Sequence, residues 1–286
     1  MTPAVGLSLT VGAALCWGLL DALRKRLARD MEALPLTTWL LLGQWPVFGT
    51  WVAATGESRI TADWLPPGLA VSALALVAAV LFVQAVRVSP LSVVVPMLSF
   101  TPAFAVLTGG LFVGEWPTWT QTGGIAIVVS GALGLAAADR RAGGRGLREP
   151  GLWMMIAVAL LWACTIALDK VALQHADVPA HALAQGVTIG VGLLLLLAVR
   201  GELALLGGIR GQLGPYLLAV VLQCLATALQ LVAITAMLVG VVEGVKRSLG
   251  LAMAVLNGWL WFDEKVGPGK LVAVAWMGLG ALLLVS

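Results

Sequence analysis

The chain has 286 residues, 60% of them apolar and 11% charged, with a mean hydropathy of +1.00 and a net charge of +3. Soluble domains use roughly 45–50% apolar and about 25% charged residues, so this composition excludes a water-soluble globular protein and predicts a polytopic protein whose apolar surface is solvated by lipid. The 17 Lys and Arg are not interleaved with aromatics, which argues against nucleic acid as a partner, and the 3 cysteines all lie in apolar runs, which argues against a disulfide framework or a zinc site.

A membrane helix needs roughly 20 apolar residues. The first stretch of that kind is 4–23, which has no basic residue ahead of it and reads as a span rather than a signal peptide. It is followed by 34–54, 67–86, 91–113 and 119–138. A hydrophilic segment rich in Gly and Arg, "ADRRAGGRGLREPG", then interrupts the pattern. Beyond it come 152–171, 179–199, 214–236, 239–261 and 269–286. The expected organisation is a first five-span unit over 1–138, a basic cytoplasmic linker over 139–151, and a second five-span unit over 152–286.

The two halves share sequence features in the same order. "AALCWGLLDALRKR" aligns with "VALLWACTIALDKV", placing Trp17 over Trp162 and Lys25 over Lys170. "LTGGLFVGEW" aligns with "LNGWLWFDEK", placing Gly109 over Gly258 and Glu115 over Glu264, and at that offset Gly131 falls over Gly280. An odd number of spans per unit makes the second copy enter the membrane from the opposite side, so the repeats are inverted. The connections that follow odd-numbered spans hold 13 of the 17 Lys and Arg, which places them in the cytoplasm and both termini outside it.

Two five-span units, each ending in a Gly-Glu or Asp-Glu element and a Gly-bearing last helix, resemble the EamA-type drug/metabolite transporter superfamily. The segments that carry the resemblance are "LFVGEWPTWTQTGGIAIVVSGALGL" and "WLWFDEKVGPGKLVAVAWMGLGALLLV". It implies an all-α protein of ten transmembrane helices, arranged as two inverted repeats around a central cavity. Its members export amino acids and drugs, or carry sugar-related or phosphorylated metabolites. The stretch "GVVEGVKRSLG" is similar to the ninth helix of plastid triose-phosphate translocators, in which a Val-Lys-Arg element binds the substrate phosphate. Val245, Lys246 and Arg247 are the matching residues. Those carriers add a lysine from the fourth helix, whereas the fourth span here has no charge, which argues against a doubly charged phosphate monoester.

Counting about twenty residues back from Trp261 puts Glu243, Lys246 and Arg247 inside the ninth span, at i, i+3 and i+4 on one face. A basic residue in the bilayer costs roughly 2.5–3.5 kcal/mol and normally faces a cavity; the competing reading is snorkelling to the headgroups. In the sister span the equivalent positions are Met97 and Leu98, so the scaffold does not require the charges, while Ser248 falls over Ser99. Gln230 shares a face of the eighth span with Gln223, and Trp17 and Trp162 stand at equivalent positions where they could wall a cavity. The candidate substrate-binding set is therefore Lys246, Arg247, Glu243, Ser248, Trp17, Trp162, Gln230 and Ser99. Glu243 is expected to orient Arg247 or carry a proton.

Among other polar residues, Asp169 and Lys170 read as a local pair or an ordinary helix end, and Asp21 as a rim ion pair with Arg24 or Lys25. Glu115 and Glu264 read as caps or rim charges, His175 and His181 as solvated loop positions, and the glycines at 124, 131, 278 and 280 as points of close helix contact. No nucleotide-binding loop, metal motif or nucleophile elbow is present, so neither enzyme activity nor a cofactor is expected. The expectation is a secondary transporter of the inner (plasma) membrane. It would move a small organic substrate bearing a carboxylate or phosphate by alternating access, driven by a coupling proton or counter-anion. Alternatives are an exporter of amphipathic or cationic drugs or amino acids, and a flippase for a lipid-linked substrate.

Overall fold

The computed structural model describes residues 2–28, 30–89, 95–139, 150–262 and 268–285. Among them the chain is helical throughout, with ten α-helices: α1 (Pro3–Leu27), α2 (Ala33–Thr55), α3 (Leu65–Val88), α4 (Thr101–Val113), α5 (Trp119–Asp139), α6 (Pro150–Ala172), α7 (Val178–Val199), α8 (Leu213–Ala236), α9 (Val239–Phe262) and α10 (Pro268–Val285). Each lies on one of the ten apolar stretches. Five helical stretches are long and apolar enough to cross a bilayer by length and composition: Ala4–Leu27, Ala62–Ala85, Pro150–Ala172, Val178–Val199 and Leu213–Ala236. Their outward faces carry large apolar side chains, such as Leu195 at 61% exposure and Leu213 at 57%, which only lipid could solvate favourably over so wide an area.

The expected continuous span over 91–113 is corrected. Val95–Phe100 forms a 3-10 helix and the α-helix begins only at Thr101, with Pro102 in its first turn. Proline lacks an N–H and fixes φ, so it is tolerated at a helix start and breaks a helix interior; this sequence therefore starts a second, shorter helix there. α4 ends at Gly114, whose φ of 79° is left-handed and cheap only for glycine. That stop delivers Glu115 into the α4–α5 connection.

The helices pair as α1 with α8 and α9, α2 with α7 and α8, α3 with α6 and α7, α4 with α6 and α9, and α5 with α10. Exchanging each helix for the one five places away converts these pairs into one another: α1–α8 becomes α6–α3, and α1–α9 becomes α6–α4; α9 breaks the symmetry by also packing on α5 and α10. Association inside lipid has little hydrophobic drive and relies on close packing at small residues. At α5–α10, a Cβ on Gly124 would lie 2.7 Å from the Gly280 carbonyl oxygen, and one on Gly280 would lie 2.8 Å from that of Gly124. A Cβ on Gly131 would meet Met277 at 2.5 Å, whereas around Gly278 there is open space, so close contact holds for three of the four expected glycines. Most of the linker and Glu264 lie outside the described residues.

Candidate substrate site

α9 opens with a stretch of small and β-branched residues whose one polar face carries Glu243, Lys246 and Arg247. Its first free N–H, that of Val239, is capped from another segment: Glu115 Oε2 accepts it at 3.2 Å. One turn on, the Glu243 carboxylate, only 3% exposed, is ion-paired with Lys246. Glu243 thus holds Lys246 and not, as expected, Arg247. Lys246 Nζ also donates to Gln230 Oε1 at 2.9 Å, and the same oxygen accepts the Trp17 indole N–H at 3.1 Å. This arrangement brings together Trp17 of α1, Gln230 of α8 and the charged face of α9.

Arg247 points toward α4. Its Nη2 donates to Thr101 Oγ1 at 3.3 Å, and the Thr101 hydroxyl in turn donates to the Leu98 carbonyl at 2.6 Å. The buried Nε of Arg247 has no hydrogen-bond partner, the one side-chain polar atom in that condition among the described residues. The carboxylates whose fields reach the guanidinium are Glu243 and Asp21. Guanidinium carries five N–H donors and cannot lose its charge under ordinary conditions, so Arg247 retains unused donor capacity beside the start of α4.

Asp21 and Arg24 pair locally at 3.3 Å, as the spacing suggests. Arg24 does more than that: Nη2 donates to Gln223 Oε1 at 3.0 Å, and its guanidinium lies 5.5 Å from the Trp17 ring centroid, within cation–π range. Gln223 and Gln230, seven apart on α8, each accept from a cation, and Trp17 touches both groups.

The remaining candidates sit apart from these contacts. Trp162 stacks on Phe82 with centroids 5.8 Å apart and packs in a separate apolar cluster. Ser248 is buried and donates to the Gly244 carbonyl of its own helix at 3.0 Å. Ser99 is buried within the 3-10 segment before α4.

A second polar region closes one end of the bundle. Lys170, at the end of α6, pairs with Glu115 and donates to the Met237 carbonyl at 2.7 Å, so it ties the α4–α5 and α8–α9 connections together. Asp169 Oδ1 accepts from Gln185 Nε2 at 2.8 Å and lies 3.0 Å from His181 Nε2, while the Trp64 N–H meets His181 Nδ1 at 2.9 Å. The Trp64 donor fixes the tautomer: Nδ1 accepts and Nε2 donates to Asp169. Asp169 and Lys170, expected as a local pair or an ordinary helix end, instead make two divergent sets of contacts. His181 is fully buried rather than solvated, because α7 begins at Val178 and carries it inward. A cavity of about 350 Å³ opens at this end between Leu7, Gln121, Met237, Val241 and Leu284, with no charged residue in its lining among the described residues.

Residues 4–137, which include Trp17, Arg24, Thr101 and Glu115, match the model of the EamA-like transporter family. The matched stretch is slightly less than half of the chain. Together with helices long and apolar enough to cross a bilayer, the match marks a multi-pass membrane protein. It is 34% identical over 65 residues to a probable terminal-alkyne amino-acid exporter of Streptantibioticus cattleyicolor, a match covering 23% of this chain and about a fifth (20%) of that protein's length. One solved crystal structure superposes with a TM-score of 0.79 over 99% of this chain and 96% of its own, at 15% identity, which shows that the fold is shared. Within the matched stretch, Thr101 and Arg24 make contacts that the sequence did not reveal. The one available signal was the Thr-Pro pair that starts α4; nothing local marks Arg24 as reaching α8.

Proposed function

We propose that the protein is a secondary transporter that binds the anionic group of a small organic substrate at Arg247 and moves it by alternating access of two five-helix repeats. The observation that carries this reading is the orphaned, buried Nε of Arg247. A buried charge with unspent donors is costly unless a partner arrives, and a transported anion is such a partner. Lys246, already held by Glu243 and Gln230, frames the site, with Trp17 as its wall. The start of α4 adds the positive end of a helix dipole to the same place. The main helix pairs exchange with one another when the halves are swapped, apart from the added contacts of α9 with α5 and α10, which supports rocking of one repeat against the other. The Lys170–Glu115 contact then serves as the closure of one end. The excess of basic residues in the odd connections supports an orientation with both termini outside the cytoplasm.

Arg247→Gln tests this reading. The variant is expected to fold and insert while losing uptake of organic anions into proteoliposomes, and uptake at the wild-type rate would refute the assignment. A second reading, amino-acid export, has the exporter-like 65-residue match in its favour. An amino acid also presents a carboxylate to Arg247, so the two readings differ in whether an ammonium group is required. Competition by carboxylates lacking an amine separates them.

A further inference from the structure

Three cations converge on the site, and two of them already hold a carboxylate. Lys246 is paired with Glu243, and Arg24 with Asp21. Arg247 forms no ion pair among the described residues, and both carboxylates whose fields reach it are bonded to another cation. The cluster therefore has a surplus of one positive charge, located on the guanidinium that has donors to spare.

We propose that this site is built for a group carrying one negative charge, a carboxylate or a phosphodiester, and that Glu243 sets this limit. The proposal rests on the reading of Arg247 as the anion receptor. A phosphate monoester carries about −1.5 to −2 near neutral pH, its second pKa lying near 6. Its second charge would find no unspent cation among the described residues and would meet the buried Glu243 carboxylate, where like charges repel most strongly. Asp21 contributes less to this exclusion, because its side chain is 69% exposed and screened, whereas that of Glu243 is 3% exposed. Neutralising Glu243 as glutamine preserves an acceptor for Lys246 and raises the surplus to two. The substitution converts a monoanion site into one that tolerates a dianion.

The test uses the full chain in lipid nanodiscs at pH 8, titrated with phenylacetate, benzyl methyl phosphate and benzyl phosphate. The two monoanions are expected to bind at least about tenfold more tightly than the dianionic monoester, and Glu243→Gln to erase or reverse that ratio. Lowering the pH to 5.5 protonates the monoester to a monoanion, so its affinity for the wild-type chain should rise about tenfold, which requires no variant. Equal or tighter binding of benzyl phosphate at pH 8, or a ratio unmoved by Glu243→Gln, overturns the proposal, as does failure of all three probes to bind. Retention of all binding by Arg247→Gln instead overturns the underlying anion reading.

Discussion

Trp17 and Lys246 donate to the same atom, Gln230 Oε1, at 3.1 and 2.9 Å. One amide oxygen thus fixes the indole of α1 and the ammonium of α9 in register with α8. Gln230→Leu removes the shared acceptor while roughly preserving volume, leaving the Trp17 indole N–H without its acceptor and Lys246 with Glu243 alone. The expected loss is about 1–3 kcal/mol of stability, read as a lower unfolding temperature, accompanied by impaired anion binding. A variant with unchanged stability and binding would show the shared bond to be incidental.

Arg247 predicts the opposite relation between stability and function. Arg247→Met removes a buried cation whose Nε is unsatisfied and replaces it with an apolar chain of similar length. The unfolding temperature of the ligand-free protein should rise, on the scale of about 1–3 kcal/mol, while binding of organic anions is lost. Thermal unfolding with and without an anionic ligand separates the two effects.

The Lys170–Glu115 pair is shielded, with side-chain exposures of 13% and 19%. Removing one partner strands the other, at a cost near the lower end of about 3–5 kcal/mol. Lys170→Gln and Glu115→Gln should each loosen that end of the bundle, and combining them should cost less than the sum of the singles. Labelling of a cysteine introduced at Leu238 reports the opening, and strict additivity would indicate that the pair is not coupled.

Gly124 and Gly280 bring two backbones into contact, so Gly124→Ala must push α5 from α10 and is expected to cost about 1–3 kcal/mol. Gly278→Ala, facing open space, should be neutral. The contrast within one helix pair, measured by thermal unfolding in detergent, distinguishes contact at defined points from a general need for small residues.

The ten helices could be read from apolar run length, because lipid selects on that property alone. The charged face of α9 was equally visible, since residues at i, i+3 and i+4 share a side whatever the tertiary structure. The partners across helices were not. That Arg247 meets Thr101 and Arg24 meets Gln223 depends on how α4 and α8 rotate about their axes, which no local spacing encodes. His181 looked solvated because it follows a short polar connection, yet a helix start three residues earlier was enough to bury it. The proline-initiated restart at Thr101 was written in Pro96 and Pro102, but hydropathy averaged over 91–113 concealed it.

Asp169 and Lys170 are adjacent on the last turns of α6, about 100° apart around its axis, yet one grips α7 and the other grips two connections from elsewhere in the chain. The two anchor points are mechanically in series on a single rigid element. A twist of α6 that releases one set is expected to strain the other, so the two sets of contacts should break together rather than one at a time.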